Sequence, residues 1–260
     1  MISVKEITSY LQDYNMSNKI IAFSSLDSTN EHAKKLARAK AEHGTVIISN
    51  SQTAGKGRHG RSFYSPADNG IYMSLILCPN RIGFSQALIT PFAAVAICNA
   101  IESVSSVKPR VKWVNDIFMN GRKVCGILTE SVADTHNAAS FAIVLGIGIN
   151  HCVPETGFPK DIIHVAGAVF ANPNPLVTRE QLASEVIKRV LFARPEPQDE
   201  EILREYKQRM LMLGEKISVK EPNQSYNAIA LDIDGLGRLI VLNDAGETIC
   251  LSSGEISVRS

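Results

Sequence analysis

A twelve-residue stretch from Ser51 to Ser62, S-Q-T-A-G-K-G-R-H-G-R-S, combines glycines with closely spaced cationic side chains. Its glycines free the backbone to adopt positive φ angles and to approach a ligand closely, and the cations between them can neutralise phosphate oxygens. The residues concerned are Gly55, Gly57 and Gly60 together with Lys56, Arg58 and Arg61. This stretch, called the cationic segment below, predicts an anion-binding loop.

Three other interpretations apply to a segment of this composition. Its G-x-G-x-x-G spacing matches the dinucleotide fingerprint, but that fingerprint needs a helix directly after the glycines, and residues 61–66 have no helical period. No G-K-[ST] sequence closes it, so it is not a Walker loop. A solvated loop whose cations contact only water is the remaining alternative.

A second group of polar residues lies in two strand-like runs that are joined by Asn120-Gly121. The sequence K-W-V-N-D, residues 112–116, places Asn115 and Asp116 at the end of a strand, where α/β proteins commonly bind ligands. Asp116 can hold Mg²⁺ together with phosphate oxygens or accept a proton, or it can simply cap a turn. Lys123 comes just after an Asn120-Gly121 hairpin signal and is either a functional cation or a solvated hairpin residue.

Taken together, the motifs from Asp27 to Ser260 resemble the biotin protein ligase family. The family pattern G-R-G-R-x-G-R corresponds to the cationic segment, with Lys56 in place of its first arginine. The other motifs are S-T-N at 28–30, K-W-x-N-D at 112–116, R-K at 122–123 with G-I-L-x-E at 126–130, G-I-G-I-N at 146–150 and the terminal G-E-I-S-V-R-S. Each motif is weak alone, and the combination is specific.

The resemblance implies a fold and a reaction. The fold class would be α/β (α+β): a class II aminoacyl-tRNA synthetase-like catalytic domain with a mixed β-sheet and helices over residues 1–213, then a small SH3-like β-barrel over residues 214–260. The reaction would convert biotin and ATP to biotinoyl-5′-AMP and pyrophosphate, and then transfer biotin to a lysine of a biotin carboxyl carrier protein or domain. Biotin and ATP would be substrates, with Mg²⁺ as the metal.

The resemblance also implies roles for individual residues. The catalytic set is Lys123, Arg58, Arg61 and Asp116, with Asp116 also the candidate Mg²⁺ ligand. The biotin-binding set is Ser28, Thr29, Asn30, Gln52, Gly55, Lys56, Gly57, Arg58, Lys123, Gly126 and Gly146. The nucleotide-binding set is Arg58, Arg61, Trp113, Asn115 and Asn150. No protein nucleophile is needed, and no G-x-S-x-G is present.

Composition limits the partners and the compartment. The net charge of +1 over 260 residues argues against a general nucleic-acid coat. Five widely spaced cysteines without C-x-x-C fit a reducing compartment, and no signal peptide or apolar membrane span is evident, so we expect a cytoplasmic protein without membrane contact. The residues before Asp27 are too few for a helix-turn-helix unit, which predicts a monofunctional form without nucleic acid. The family resemblance makes a homodimer a further expectation.

The pattern of elements supports two units. Helices are predicted from Ser3 to about Tyr14, from Ser28 to Gly44, from Ser85 to Val104, from Thr178 to Phe192 and from Gln198 to Leu213. Strands are predicted at 45–49, 69–78, on both sides of Asn120-Gly121, and at 141–150. After Gly214, short alternating strands joined by Asp-Gly and Asp-Ala-Gly turns predict the small β-domain.

Two rival functions remain at this stage. A lipoate or octanoate transferase on the same fold would share Lys123 but not the cationic segment. A non-catalytic biotin or nucleotide sensor would not need Lys123, Asp116 and the cationic segment together.

Overall fold

The protein is described by a computed structural model that covers residues 1–16, 19–133, 141–193, 198–221 and 224–258. A seven-stranded mixed sheet forms its larger part. The strands are β1 Ile20–Phe23, β2 Val46–Ser49, β3 Gly70–Leu77, β4 Arg110–Lys112, β5 Asp116–Met119, β6 Arg122–Ala133 and β7 Phe141–Asn150. Their order is β1-β2-β3-β7-β6-β5-β4, with β1 and β2 parallel and every other pair antiparallel. The predicted mixed sheet is confirmed.

Five helices accompany this sheet within the described ranges: α1 Val4–Tyr10, α2 Thr29–Arg38, α3 Ile89–Val104, α4 Arg179–Leu191 and α5 Asp199–Arg209. Side-chain oxygens cap three of them, because Ser3, Ser28 and Thr178 each accept a hydrogen bond from a backbone N–H in the first turn. The sequence spacing of Ser3 with Glu6 and of Ser28 with Glu31 would allow reciprocal capping boxes, but each is only half formed. Glu6 accepts from Thr178 of the neighbouring helix instead, and Glu31 forms ion pairs.

Three helices end earlier than their sequence patterns predict. Helix α1 ends at Tyr10, and a separate turn covers Gln12–Tyr14. Helix α2 ends at Arg38, because Lys40 rather than Gly44 supplies the first left-handed residue, at φ 61°. Helix α5 ends at Arg209 because Met210 adopts an extended conformation and pairs with Val111 beside β4. Tertiary pairing overrides the amphipathic pattern in this last case.

Helix α3 is the apolar centre of the larger part. It packs against α4, α5 and strands β5 and β6, and its buried residues include Ile89, Phe92, Ile97 and Ile101. By length and composition alone, residues Gln86–Val104 would be long and apolar enough to cross a membrane, and the most apolar window is 61% buried inside the protein. The apolar character of residues Gln86–Val104 is therefore explained by their packing in the hydrophobic core. Pro91 is accommodated in its first turn, where no intrahelical N–H is lost.

A second sheet of five antiparallel strands follows, in the order β11-β10-β9-β8-β12. Its strands are β8 Lys216–Glu221, β9 Gln224–Ile233, β10 Leu239–Asn243, β11 Thr248–Leu251 and β12 Glu255–Val258. The turns predicted at Asp234-Gly235 and Asp244-Ala245-Gly246 join β9 to β10 and β10 to β11. This small β-domain agrees with the SH3-like fold that was expected, while the boundary at Gly214 stays a prediction.

The β5–β6 hairpin places the two candidate catalytic charges together. Asn120 and Gly121 have φ angles of 50° and 74°, the left-handed pair that a tight hairpin turn requires. The register then shifts, so that Phe118 pairs with Lys123 but Ile117 pairs with Cys125, which leaves Val124 as an extra residue. The hairpin predicted from Asn-Gly is confirmed, and the bulge beside it brings Lys123 to the side of Asp116.

Candidate active site

A cavity of about 540 Å³ opens on the larger sheet beside the cationic segment and β12. Every site residue predicted from the sequence lines it except Gly55: Ser28, Thr29, Asn30, Gln52, Lys56, Gly57, Arg58, Arg61, Trp113, Asn115, Asp116, Lys123, Gly126, Gly146 and Asn150. Gly55 lies behind the lining, where an added Cβ would come within 2.5 Å of the Phe63 carbonyl oxygen. Its missing side chain lets the segment fold back on itself.

One end of the cavity is polar but uncharged. The backbone N–H of Thr29 donates to Gln52 Oε1 at 2.8 Å, and Gln52 Nε2 donates to Ser65 Oγ at 2.9 Å. Ser74 Oγ lies 2.8 Å from Thr29 Oγ1 and 2.6 Å from Asn30 Oδ1. These bonds fix the start of α2 against Gln52 of the cationic segment and against Ser74 of β3. Ser74 was not predicted, because it stands inside the apolar run of β3 and only the fold brings it to this site.

The floor at this end is made of glycines from β6 and β7. A Cβ on Gly146 would lie 2.1 Å from Asn30 Oδ1, and one on Gly148 would lie 2.6 Å from the Phe63 ring. Both distances are impossible for real atoms, so the glycines are required by the close approach of Asn30 and Phe63. Gly146 was predicted as a site residue but Phe63 was not, since an aromatic residue after a basic loop carries no specific signal.

The charged end centres on Lys123 and Asp116. Lys123 Nζ lies 2.6 Å from Asp116 Oδ1, and both side chains are about three-quarters buried. Asp116 Oδ1 makes no hydrogen bond within the described part of the chain. The backbone of Lys123 is fixed on its other side, where its N–H donates to the Val165 carbonyl and its carbonyl accepts from the Gly167 N–H, each at 2.8 Å.

The three cations of the cationic segment have different partners. Arg61 pairs with Glu255 at the start of β12, and Lys56 pairs with Glu31 on α2. Arg58 has no carboxylate partner among the described residues, and its Nη1 donates to Asn115 Oδ1 at 3.2 Å. Burial lowers the pKa of Arg58, and the negative charge of Asp116 partly offsets this decrease. A guanidinium remains charged at neutral pH after such a shift. Arg58 is therefore the cation best placed to receive an anionic ligand.

The charged residues that line the cavity without having been predicted include Lys112 and Glu255. Burial lowers the pKa of Lys112, whose Nζ lies 5.7 Å from the centre of the Phe118 ring. Lys112 stood in the K-W-x-N-D motif but received no role of its own. Glu255 stood in the terminal motif, and nothing local indicates that β12 returns to the cationic segment.

A metal site built from protein ligands alone is not found in the described ranges, where no three His, Cys, Asp or Glu residues cluster. The acidic group at the charged end is Asp116, whose buried Oδ1 faces the Lys123 ammonium. One carboxylate is a sufficient protein contribution when phosphate oxygens and water complete a Mg²⁺ shell.

The fold and the cavity define a class of protein: a ligand-binding α/β domain followed by a small antiparallel β-domain that contributes to the same site. Residues 22–150 match the model of the Biotin/lipoate A/B protein ligase family, and residues 212–259 match the Biotin protein ligase C terminal domain.

Individual relatives agree with these matches. The bifunctional ligase/repressor BirA of Bacillus subtilis is 33% identical over 186 residues, covering 72% of this chain and 57% of BirA. The biotin--[acetyl-CoA-carboxylase] ligase of Mycobacterium tuberculosis is 30% identical over 88% of this chain and 85% of its own length. The solved biotin protein ligase from Aquifex aeolicus, in complex with biotin and ATP, is 25% identical, with a TM-score of 0.76 over 93% of this chain and 98% of its own.

This chain belongs to the biotin protein ligase family. Its match spans less than two-thirds of the length of the Bacillus relative.

Proposed function

We propose that this protein is an ATP-dependent biotin protein ligase, which forms biotinoyl-5′-AMP and transfers the biotin to a lysine of a carboxyl carrier domain. The observation that carries the proposal is that one cavity joins an uncharged polar end, bounded by Thr29, Asn30 and Gln52, to a charged end with Arg58 and Lys123. The first end suits the paired donors and acceptors of a ureido ring. The second end suits phosphates.

In the first half-reaction, a carboxylate oxygen of biotin attacks the α-phosphorus of ATP, and the bond from that phosphorus to the pyrophosphate oxygen breaks. Two anions must approach each other, and cations fixed beside the reacting atoms offset their repulsion. Arg58 and Lys123 supply fixed charge at the charged end, and Arg61 becomes available when the phosphates compete with Glu255. Trp113, Asn115 and Asn150 are proposed to bind the base and ribose.

In the second half-reaction, the neutral amine of the acceptor lysine attacks the acyl carbon, and the carbon–oxygen bond to AMP breaks. The amine loses its proton and AMP leaves with its phosphate negatively charged. Lys123 remains cationic and stabilises that phosphate. The mixed anhydride is sensitive to water, so the cationic segment also has to cover the cavity until the acceptor arrives.

Mg²⁺ is proposed as the metal, and Asp116 is the residue that would hold it. The fit rests on the buried carboxylate of Asp116, whose Oδ1 makes an ion pair with Lys123 and has no other polar partner in the part of the chain that the structure describes. When bound, the metal would neutralise phosphate charge. Asp116 also holds Lys123 in place, so it has a role in either case.

Biotin-dependent exchange of labelled pyrophosphate into ATP tests the first half-reaction. The second is tested by supplying ATP, Mg²⁺, biotin and a carboxyl carrier domain and probing that domain with streptavidin. Exchange that depends on lipoate instead of biotin would replace the proposal with the lipoate alternative. Biotin binding without exchange would identify a sensor.

A further inference from the structure

A ladder of alternating charges extends from the cationic segment to the centre of the sheet. Lys56 pairs with Glu31, whose Oε1 also lies 2.7 Å from Lys34 Nζ, and Lys34 Nζ lies 2.9 Å from Glu130 Oε1. The four charges sum to zero. The Lys34 side chain is only 14% exposed, so the part of the ladder around Lys34 is shielded from solvent.

The inner end of the ladder is tied to the cavity. Glu130 Oε2 accepts a hydrogen bond from Asn30 Nδ2 at 2.9 Å. The Asn30 side chain leaves no room for a Cβ at Gly146. Asn30 also precedes Glu31 on α2. Charge on Lys56 is thus connected, through three side chains, to the residue that shapes the uncharged end.

The ion pair gives Lys56 a different role from that of its neighbours. Arg58 faces Asn115 inside the cavity, whereas the Lys56 ammonium is bound to a carboxylate on the outer side of α2. The Lys56 ammonium is held by a carboxylate that Lys34 also contacts, so a phosphate would have to replace Glu31 to bind it. Hydrogen bonds from Lys34, the larger cause, and from Lys56 lower the pKa of Glu31 to about 2. Glu31 is therefore ionised at neutral pH.

We infer that Lys56 and Glu31 are positioning residues: their ion pair fastens the cationic segment to α2, and thereby sets how long an activated intermediate is retained. The inference rests on the proposed function for its enzymatic meaning, and Lys56 acts through the segment rather than by contacting phosphate. Retention of the intermediate would then depend on the charge of residue 56 and not on its detailed shape.

A double-mutant cycle tests the pair, with Glu31→Gln, Lys56→Gln and the combined variant. Two properties are measured: the rate of trypsin cleavage after Arg58 and Arg61, and the labelling of bystander lysines when biotin and ATP are supplied without a carrier. We expect each single change to raise both by about two- to fivefold, as for a partly exposed ion pair, and the combined variant to show no further increase. Lys56→Arg keeps the charge and is expected to raise both properties less than Lys56→Gln does.

Lys207→Gln is the matched control, because it removes a lysine from an ion pair with Asp232 that lies outside the cavity lining. Thermal melting checks that each variant folds. Glu31→Gln and Lys56→Gln are both expected to raise cleavage and labelling, so if one of them fails to fold, the other still tests the inference. Wild-type cleavage in Glu31→Gln, or effects of the two single changes that multiply in the combined variant, would overturn the inference. If the wild type shows no biotin-dependent exchange, the proposed function fails, while the cleavage rates still decide whether the ion pair fastens the segment.

Discussion

Lys123 Nζ lies 2.6 Å from a buried oxygen of Asp116 that makes no hydrogen bond among the described residues. The two residues stand on adjacent strands, and the register shift after Ile117 brings them together. The ion pair holds a cation in a largely buried site, where water does not screen it fully. Both residues are therefore expected to affect the proposed reaction, in ways that separate substitutions can distinguish.

Lys123→Ala should lower the rate of biotin-dependent pyrophosphate exchange by about 10²- to 10³-fold, the range found when one preorganised stabilising group is removed from an active site. The folded structure should persist, since the side chain is not fully buried and the backbone hydrogen bonds of residue 123 to Val165 and Gly167 do not depend on it. Exchange kinetics and a thermal melt measure the two properties. Lys216→Ala, at an exposed position at the start of β8, is the control. Wild-type turnover in Lys123→Ala would remove Lys123 from the mechanism.

Asp116→Asn separates the metal role from the positioning role. If Asp116 holds Mg²⁺, the concentration of Mg²⁺ that gives half-maximal exchange should rise by roughly 10-fold or more, because a carboxamide is a poorer ligand. The measurement is a Mg²⁺ titration at saturating ATP, with the exposed-turn variant Asp244→Asn as control. An unchanged Mg²⁺ requirement with a lower maximal rate would leave Asp116 as the partner of Lys123 alone.

Arg58→Ala should release the adenylate more readily. Its guanidinium lies inside the cavity and is not committed to a carboxylate in the described structure, so it is available to bind the intermediate's phosphate. A hydrogen bond to a charged group contributes about 1.5–3 kcal/mol, which corresponds to roughly 10- to 150-fold faster release. Labelling of bystander lysines detects the release. Arg204→Ala on the exposed side of α5 should behave as wild type, and equal labelling by both variants would refute the retention role of Arg58.

These predictions show which parts of the site could be obtained from the sequence. The Asn120-Gly121 hairpin and the cationic segment follow from local rules, because backbone conformation and side-chain charge are properties of the residues themselves. The resemblance to a family then added the roles of Lys123 and Asp116. Ser74, Phe63 and Glu255 could not be found this way, since each is an ordinary residue in its own strand or loop and meets the cavity only through the fold.

The same limit applies to the helix ends and to Lys56. Helix α5 was predicted to continue to Leu213, but pairing of Met210 with Val111 ends it at Arg209. Lys56 was predicted to bind biotin together with its neighbours, and it does line the cavity, while its ammonium group pairs with Glu31 from another element. Sequence shows that a charge is present, but the packing of α2 decides what it meets.

His151 should make the protein less stable in weak acid. Burial lowers its pKa from 6.5 to about 4, opposed by the hydrogen bond to the Val177 carbonyl, with Arg179 and Glu180 as the nearby charges. Because the folded pKa is below the unfolded one, the unfolded chain binds more protons between these values. The contribution is complete above pH 6.5 and is lost as the pH falls towards 4, on the order of 2 kcal/mol between pH 7 and 4.5.

Urea denaturation of the wild type and of His151→Gln at pH 7, 5.5 and 4.5 checks this expectation. Other groups titrate in the same window, so the quantity of interest is the difference between the two proteins. That difference should shift in favour of His151→Gln as the pH falls. Parallel stability curves would show that His151 does not contribute to acid sensitivity.

Gly146→Ala should close the uncharged end of the cavity. Its Cβ would lie 2.1 Å from Asn30 Oδ1, and Asn30 cannot move freely because it is bonded to Ser74, Leu128 and Glu130. The strain expected from one excess methyl group, about 1–3 kcal/mol, corresponds to roughly 5- to 150-fold weaker binding of biotin if the ligand occupies this end. Gly235→Ala is the matched control, because nothing lies within 4 Å of its added Cβ. Calorimetric titration with biotin measures the effect, and equal affinities in the two variants would place the biotin ring elsewhere in the cavity.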